Sequence, residues 1–266
     1  MRLVRFSVIG EGRDLPGPRG VQRVFWGIHE GDRVLELTQE PWEGIAEGKA
    51  RYAPGEVKIL PPADPGKIVL MGFNYKGHIE EMGYEYPSEP LIFLKAPSSV
   101  IPHGEAIILP PESERVDYEG ELALVVGRRC RRVSRGDAPG VVLGCTILND
   151  VTARDLQKKD VQFSRAKSFD TFCPLGPWIE TEMDPLSVRI TTVVNSRVRQ
   201  DDHTSTMLFD PYAILEYVSA AMTLMPGDVI ATGTPSGVGP LAHGDEVSVT
   251  VEGIGTLTNP VVREGM

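Results

Sequence analysis

The chain has 266 residues and a formal net charge of −10, and 41% of its side chains are hydrophobic, enough to build a full core. Such an acidic balance repels a phosphate backbone or an anionic bilayer, and no apolar run reaches the ~18 residues of a membrane helix. We therefore expect no nucleic-acid or membrane partner, and a cytoplasmic protein, because the opening residues from Met1 to Ser7 lack the apolar core of a signal peptide.

Residues 1–60 read as short strands and turns. Strands are predicted over 23–28 and 33–37, divided by a hairpin turn at Glu30, Gly31 and Asp32. The proline-rich stretch from Leu60 to Gly66 interrupts regular structure, which divides a small β-rich annex, 1–60, from a main domain, 61–266. A buried strand follows over 67–72. One or two helical turns then occupy 73–83, closed by Gly83, and another strand spans 91–95.

Strands over 121–126 and 141–148 flank the one basic patch, Arg128, Arg129, Arg131, Arg132 and Arg135, which reads as a solvated turn. A helix-like stretch runs from Asp150 to Lys158. Further strands are predicted over 188–194, 229–232 and 246–252. Asp210 and Pro211 supply an N-cap and a first-turn proline to an amphipathic helix bearing Ile214, Leu215, Val218, Ala221 and Met222. Strands outnumber helices without a βαβ rhythm, so the fold class is α+β with a large mixed sheet.

Two of these strands carry acids. Side chains alternate along a strand, so Glu119 and Glu121 share a face with only Gly120 between them, and Asp117 continues the row. Asp150 ends the second strand. Two carboxylates about 4 Å apart repel by roughly 4 kcal/mol at an effective dielectric of about 20. A partly buried cluster thus requires a divalent cation, an Arg or Lys partner, or a shared proton. Only oxygen donors are near in sequence, which favours Mg²⁺, Mn²⁺ or Ca²⁺ over Zn²⁺.

A helix starting at Asp150 would align Arg154 and Gln157 with it on one face; the simpler reading of Arg154 is a surface pair with Asp150. His78 and Glu81 stand three apart on a helical turn, a spacing that lets the carboxylate orient the imidazole as a base. Lys167 lies in a loop shaped by glycine and proline, where its ammonium can meet a developing anion. The segment from Thr232 to Gly239, with Thr234 in it, offers open backbone N–H groups for a carboxylate or phosphate and is no Walker loop. The three cysteines encode neither a disulfide framework nor a zinc site, and Cys173 reads as a buried small hydrophobe rather than a nucleophile.

In chain order, Gly72-Phe-Asn-Tyr with His78 and Glu81, Asp117-Tyr-Glu-Gly-Glu-Leu-Ala, Asn149-Asp-Val-Thr-Ala-Arg-Asp-Leu-Gln, Lys167-Ser-Phe-Asp-Thr and Thr232-Gly-Thr-Pro resemble the fumarylacetoacetate hydrolase family over roughly residues 66–262. That resemblance implies a β-rich mixed-sheet roll of the family's C-terminal type, usually a homodimer. It implies Mg²⁺ or Mn²⁺, with Ca²⁺ as a substitute, held by Glu119, Glu121 and Asp150. His78 and Glu81 match a water-activating dyad on a mobile lid, and Lys167 matches the lysine at the oxyanion. Arg154 and Gln157 match contacts to the substrate or oxyanion; Asn74 and Tyr75 fall in the lid motif, and Asp117 is left a supporting role. The implied substrates are small 2-oxo acids. Isomerisation or decarboxylation of 2-oxo or 2-hydroxydienoic dicarboxylates of aromatic catabolism leads, with C–C hydrolysis of acylpyruvates as the alternative reaction. A metal or oxo-acid binding protein without turnover is the alternative from another class.

Overall fold

Alternation along the strand Gly120–Val126 organises the molecule. In the computed structural model, which describes residues 1–10 and 23–265, Leu122 and Leu124 enter one apolar core while Ala123 and Val125 enter another on the opposite face. Every residue of this strand is buried, so it is central to its sheet. Its neighbours are Val142–Asn149, antiparallel, and Val229–Ala231, also antiparallel. The sheet continues through Ile68–Gly72 to Leu91–Lys95 at one edge and through Cys173–Glu180 on the other side.

The strand Arg2–Val8 pairs with Cys173–Glu180, Leu3 opposite Ile179, so the N-terminal strands extend this twelve-stranded sheet. Phe25–His29 and Val34–Leu37 form the predicted hairpin, with Gly31 at φ +69° and the Glu30 N–H donating to the Arg33 carbonyl over 2.8 Å. Of the annex expected over 1–60, residues 11–22 lie outside the described residues.

A five-stranded sheet, from Arg197–His203 through Arg189–Val194, Glu246–Val251 and Gly255–Arg263 to Ile107–Leu109, packs on the face that carries Leu122 and Leu124. The two layers approach closely at Gly120: a Cβ there would lie 2.3 Å from Thr192 Oγ1 and 2.9 Å from Val249. Only glycine fits between the two glutamates. The helix Pro211–Ala221 begins as expected, Asp210 accepting from the N–H groups of Tyr212 and Ala213, and buries Ile214, Leu215 and Val218 in the same core.

The stretch 150–158 differs from its prediction. Thr152–Ala153 bridges to Val116–Tyr118 in a small third sheet, and the helix is confined to Arg154–Lys159. Pairing with a distant strand overrides the helical spacing, and Asp150 shares no helix face with Arg154. Among the described residues no helix is long and apolar enough to cross a membrane.

Candidate metal centre and lid

Strand register brings the acids together. Gly120 pairs with Asn149, so the next residues out on each strand, Glu119 and Asp150, are opposite one another, and the Asp150 N–H donates to the Glu119 carbonyl over 2.8 Å. Asn149 Oδ1 accepts the Glu119 N–H at 3.0 Å, and Gln200 Oε1 accepts that of Gly120 at 3.0 Å, fixing the backbone where the strand is interrupted. Glu119, Glu121 and Asp150 are buried, and one carboxylate oxygen from each lies within 4.8 Å of the others.

Buried cations face two of the three. Lys167 Nζ donates to Glu119 Oε2 at 2.9 Å and to Asp150 Oδ2 at 2.5 Å. Lys95 Nζ reaches Asp150 Oδ1 at 2.6 Å and the Val151 carbonyl at 3.0 Å. Arg154 bonds Glu119, donates Nε to Asp117 at 2.9 Å and Nη1 to Gln157 Oε1 at 2.7 Å. Arg115 completes the pairing of Asp117. Asp117 therefore anchors arginines behind the cluster.

Burial opposes ionisation of Glu119 more than any single neighbour, but Lys167, Arg154 and His78 together hold its carboxyl far below the usual carboxylate range. The same pairing works in reverse on Lys167: burial disfavours its ammonium, and Asp150 and Glu119 more than restore it. Glu121 has less help, since Lys167 favours its charge only from a distance. Its only hydrogen-bond donor among the described residues is the Gly233 N–H, at 2.8 Å, and burial followed by repulsion from Asp150 and Glu119 pushes its carboxyl well above its ordinary range. The donor set fits a hard divalent cation: three buried carboxylate oxygens and, among the described residues, no nitrogen or sulfur donor with them and no ion pair to Glu121.

Glu119 and Glu121 floor a cavity of about 320 Å³, also lined by His78, Arg154, Gln157, Lys167 and Thr234 and by Phe73, Tyr84, Phe93 and Phe163. Thr234 gives its hydroxyl proton to the Gly120 carbonyl at 2.9 Å and accepts from Gln200 at 2.8 Å, so toward a ligand it can only accept.

His78 is carried by the short helix Lys76–Met82, closed by Gly83 in the left-handed region at φ 71°. It is 6% exposed, its Nδ1 has no hydrogen-bond partner, and burial lowers its pKa although Glu119 opposes the shift. Glu81 Oε2 stands 3.7 Å from that nitrogen, beyond hydrogen-bond reach, and instead accepts the Gly237 N–H at 3.0 Å. The spacing of His78 and Glu81 places them together as a loose pair, in which Glu81 opposes the lowering of the His78 pKa without a close hydrogen bond.

Asn74 and Tyr75 do not reach the cavity. Asn74 is consumed by the backbone of Phe209 and Thr232, and Tyr75 is fully buried. They hold the turn that leads into the helix carrying His78. Cys173 is also sealed away, its thiol pushed up to about 12 by burial, and Arg128 and Arg135 of the basic patch are exposed, bonding Gly140 and Asp210. Lys95 is the residue that the sequence reading passed over. Its one signal is a charge at the end of a short apolar strand, at a fully buried position.

Residues 67–262 match the model of the fumarylacetoacetate hydrolase C-terminal domain, and residues 1–62 match the Rv2993c-like N-terminal domain. The chain belongs to the fumarylacetoacetate hydrolase family of enzymes. It is 52% identical to Protein Rv2993c of Mycobacterium tuberculosis, across 86% of this chain and 88% of that one. It is 42% identical to oxaloacetate tautomerase YisK of Bacillus subtilis, across 88% of this chain and 84% of that protein. Among solved structures, 2-hydroxyhepta-2,4-diene-1,7-dioate isomerase from Mycobacterium marinum superposes with a TM-score of 0.89 at 43% identity, each chain covered in full.

Proposed function

We infer that the protein is a divalent-metal-dependent enzyme that moves a proton, or releases carbon dioxide, beside the carbonyl of 2-oxo or 2-hydroxydienoic dicarboxylates. Isomerisation leads. The observation that carries this reading is a buried imidazole, its Nδ1 without a close hydrogen-bond partner and its pKa lowered by burial, on the wall of the cavity whose floor is Glu119 and Glu121. Proton transfer beside a carbonyl requires a base that is unprotonated near neutral pH and is favoured by a cation to receive the charge left on oxygen.

Glu119, Glu121 and Asp150 are the residues that would hold Mg²⁺ or Mn²⁺, and the ion, when bound, supplies Lewis-acid polarisation of an oxo-acid head. His78 takes the proton, and burial keeps its imidazole in the basic form. Lys167 has spent two of its three N–H donors on Glu119 and Asp150, leaving one for the developing enolate oxygen. Arg154 holds Glu119 in position and orients Gln157 at the cavity wall.

C–C hydrolysis would require Glu81 to align His78 for attack by water, and here Glu81 Oε2 stands 3.7 Å from His78 Nδ1 and accepts the Gly237 N–H. That is why proton transfer is favoured over hydrolysis. The test is turnover by purified protein with Mg²⁺ or Mn²⁺, followed by ultraviolet absorbance. 2-Hydroxyhepta-2,4-diene-1,7-dioate or enol-oxaloacetate should be converted faster than an acylpyruvate is cleaved. If all three substrates remained unchanged, the reading would be wrong.

A further inference from the structure

Three cations line the cavity, and they are not equivalent. Arg154 is spent on Asp117, Glu119 and Gln157, and Lys167 on Glu119 and Asp150. Lys158 follows Gln157 on the helix Arg154–Lys159 and is exposed at the cavity wall; among the described residues no acid or carbonyl bonds its ammonium. The remaining wall is rich in aromatic rings. Phe93 meets Phe163 edge-on at 5.8 Å, and Phe73 packs against Tyr84 at 4.7 Å. Tyr84 is also exposed, at 57%, whereas Glu119 and Glu121 are buried, so the cavity runs from an anionic floor to a rim with one uncommitted positive charge.

We propose that Lys158 selects substrates by a second carboxylate at the end remote from the oxo-acid head. The idea rests on the function inferred above and adds to it the residue that reads the far end. The head is held at the floor, a planar unsaturated spacer lies along the aromatic rings, and the distal carboxylate meets the Lys158 ammonium. A flat apolar wall favours a conjugated spacer over a hydrated one. Lysine is a compact charge on a flexible four-carbon stem, so it can follow carboxylates at different distances. The contact is solvated at the rim, so its contribution is modest and salt-sensitive.

Binding to the Mg²⁺-loaded protein by calorimetry tests this with three probes. Oxalate reports the floor alone; 2-oxoadipate carries the distal carboxylate, and 2-oxohexanoate replaces it with a methyl group at equal chain length. Wild type should prefer 2-oxoadipate by about two- to fivefold, the range for one exposed ion pair. Lys158→Met should erase that preference, Lys158→Glu should reverse it, and Lys158→Arg should keep it. Oxalate affinity should be unchanged in all three. A preference that survives Lys158→Met while oxalate still binds overturns the role of Lys158 and leaves the enzyme reading intact. Failure of oxalate to bind wild type overturns both.

Discussion

The floor of the cavity and its lid solve opposite electrostatic problems. On the floor, Asp150 meets two buried ammonium groups and Glu119 meets an ammonium and a guanidinium, so both charges are held in fixed positions. On the lid, His78 is buried with an orphaned nitrogen, and Glu81, three residues on, bonds a backbone amide elsewhere. Buried polar groups are nearly always paired, so the orphan is informative. A template for a metal and an oxo acid benefits from rigidity, whereas a base must be free to meet its proton.

Breaking the lid should affect rate far more than stability. His78→Ala is expected to lower kcat by about 10²–10⁴-fold, the usual contribution of a positioned base, while the denaturation midpoint moves little. Steady-state kinetics beside urea denaturation would show it, and a loss of under threefold would remove His78 from the chemistry. Breaking the floor should cost stability as well as rate. Asp150→Ala leaves Lys95 and Lys167 buried without a shared acid, and loss of one partner from a buried pair costs about 3–5 kcal/mol. A denaturant titration showing under 1 kcal/mol would mean that the floor is not the rigid element.

Lys95 sharpens the contrast, because it touches the cluster without lining the cavity. Lys95→Met removes the group that orients one Asp150 oxygen, and outer partners of this kind contribute about 10–100-fold to metal affinity. Manganese titration followed by electron paramagnetic resonance should show that weakening. An affinity within twofold of wild type would leave Lys95 a structural role only.

The two regions also differed in how far the sequence revealed them. Strand alternation put Glu119 and Glu121 on one face, and the end of a second apolar strand marked Asp150, because both signals are local. Lys95 belongs to a strand 55 residues before Asp150, and nothing near it in sequence records which acid its ammonium will meet. Arg154 misled for the same reason. A helix from Asp150 would have paired them, but the bridge of Thr152–Ala153 to Val116–Tyr118 turns Arg154 toward Asp117 and Glu119. On the lid, three-residue spacing brought His78 near Glu81, yet the acceptor that Glu81 provides goes to Gly237, a partner 156 residues away. Local periodicity identifies the chemistry available; pairing between distant strands and loops decides which groups are spent.

Acidification affects both regions through His78, with the smallest expected effect. Burial lowers its pKa from the ordinary 6.5, so the unfolded chain takes up the proton at a higher pH than the folded one. Stability contributed by the neutral imidazole is therefore complete above 6.5 and is lost as pH falls from 6.5 to the lowered folded value; below that both states are protonated. His29 and His103 are shifted downward by burial as well, so the slope of wild type is a sum. The variant His78→Asn isolates one part of it, and its melting temperature should fall less steeply than wild type between pH 6.5 and 5. The rate follows the same sign. A base acts in its neutral form, so kcat/KM should hold steady down to 6.5 and decline only below it. An acid limb above 6.5 would show that His78 gains a proton more readily in the folded enzyme than its burial allows, and that Glu81 has moved to it.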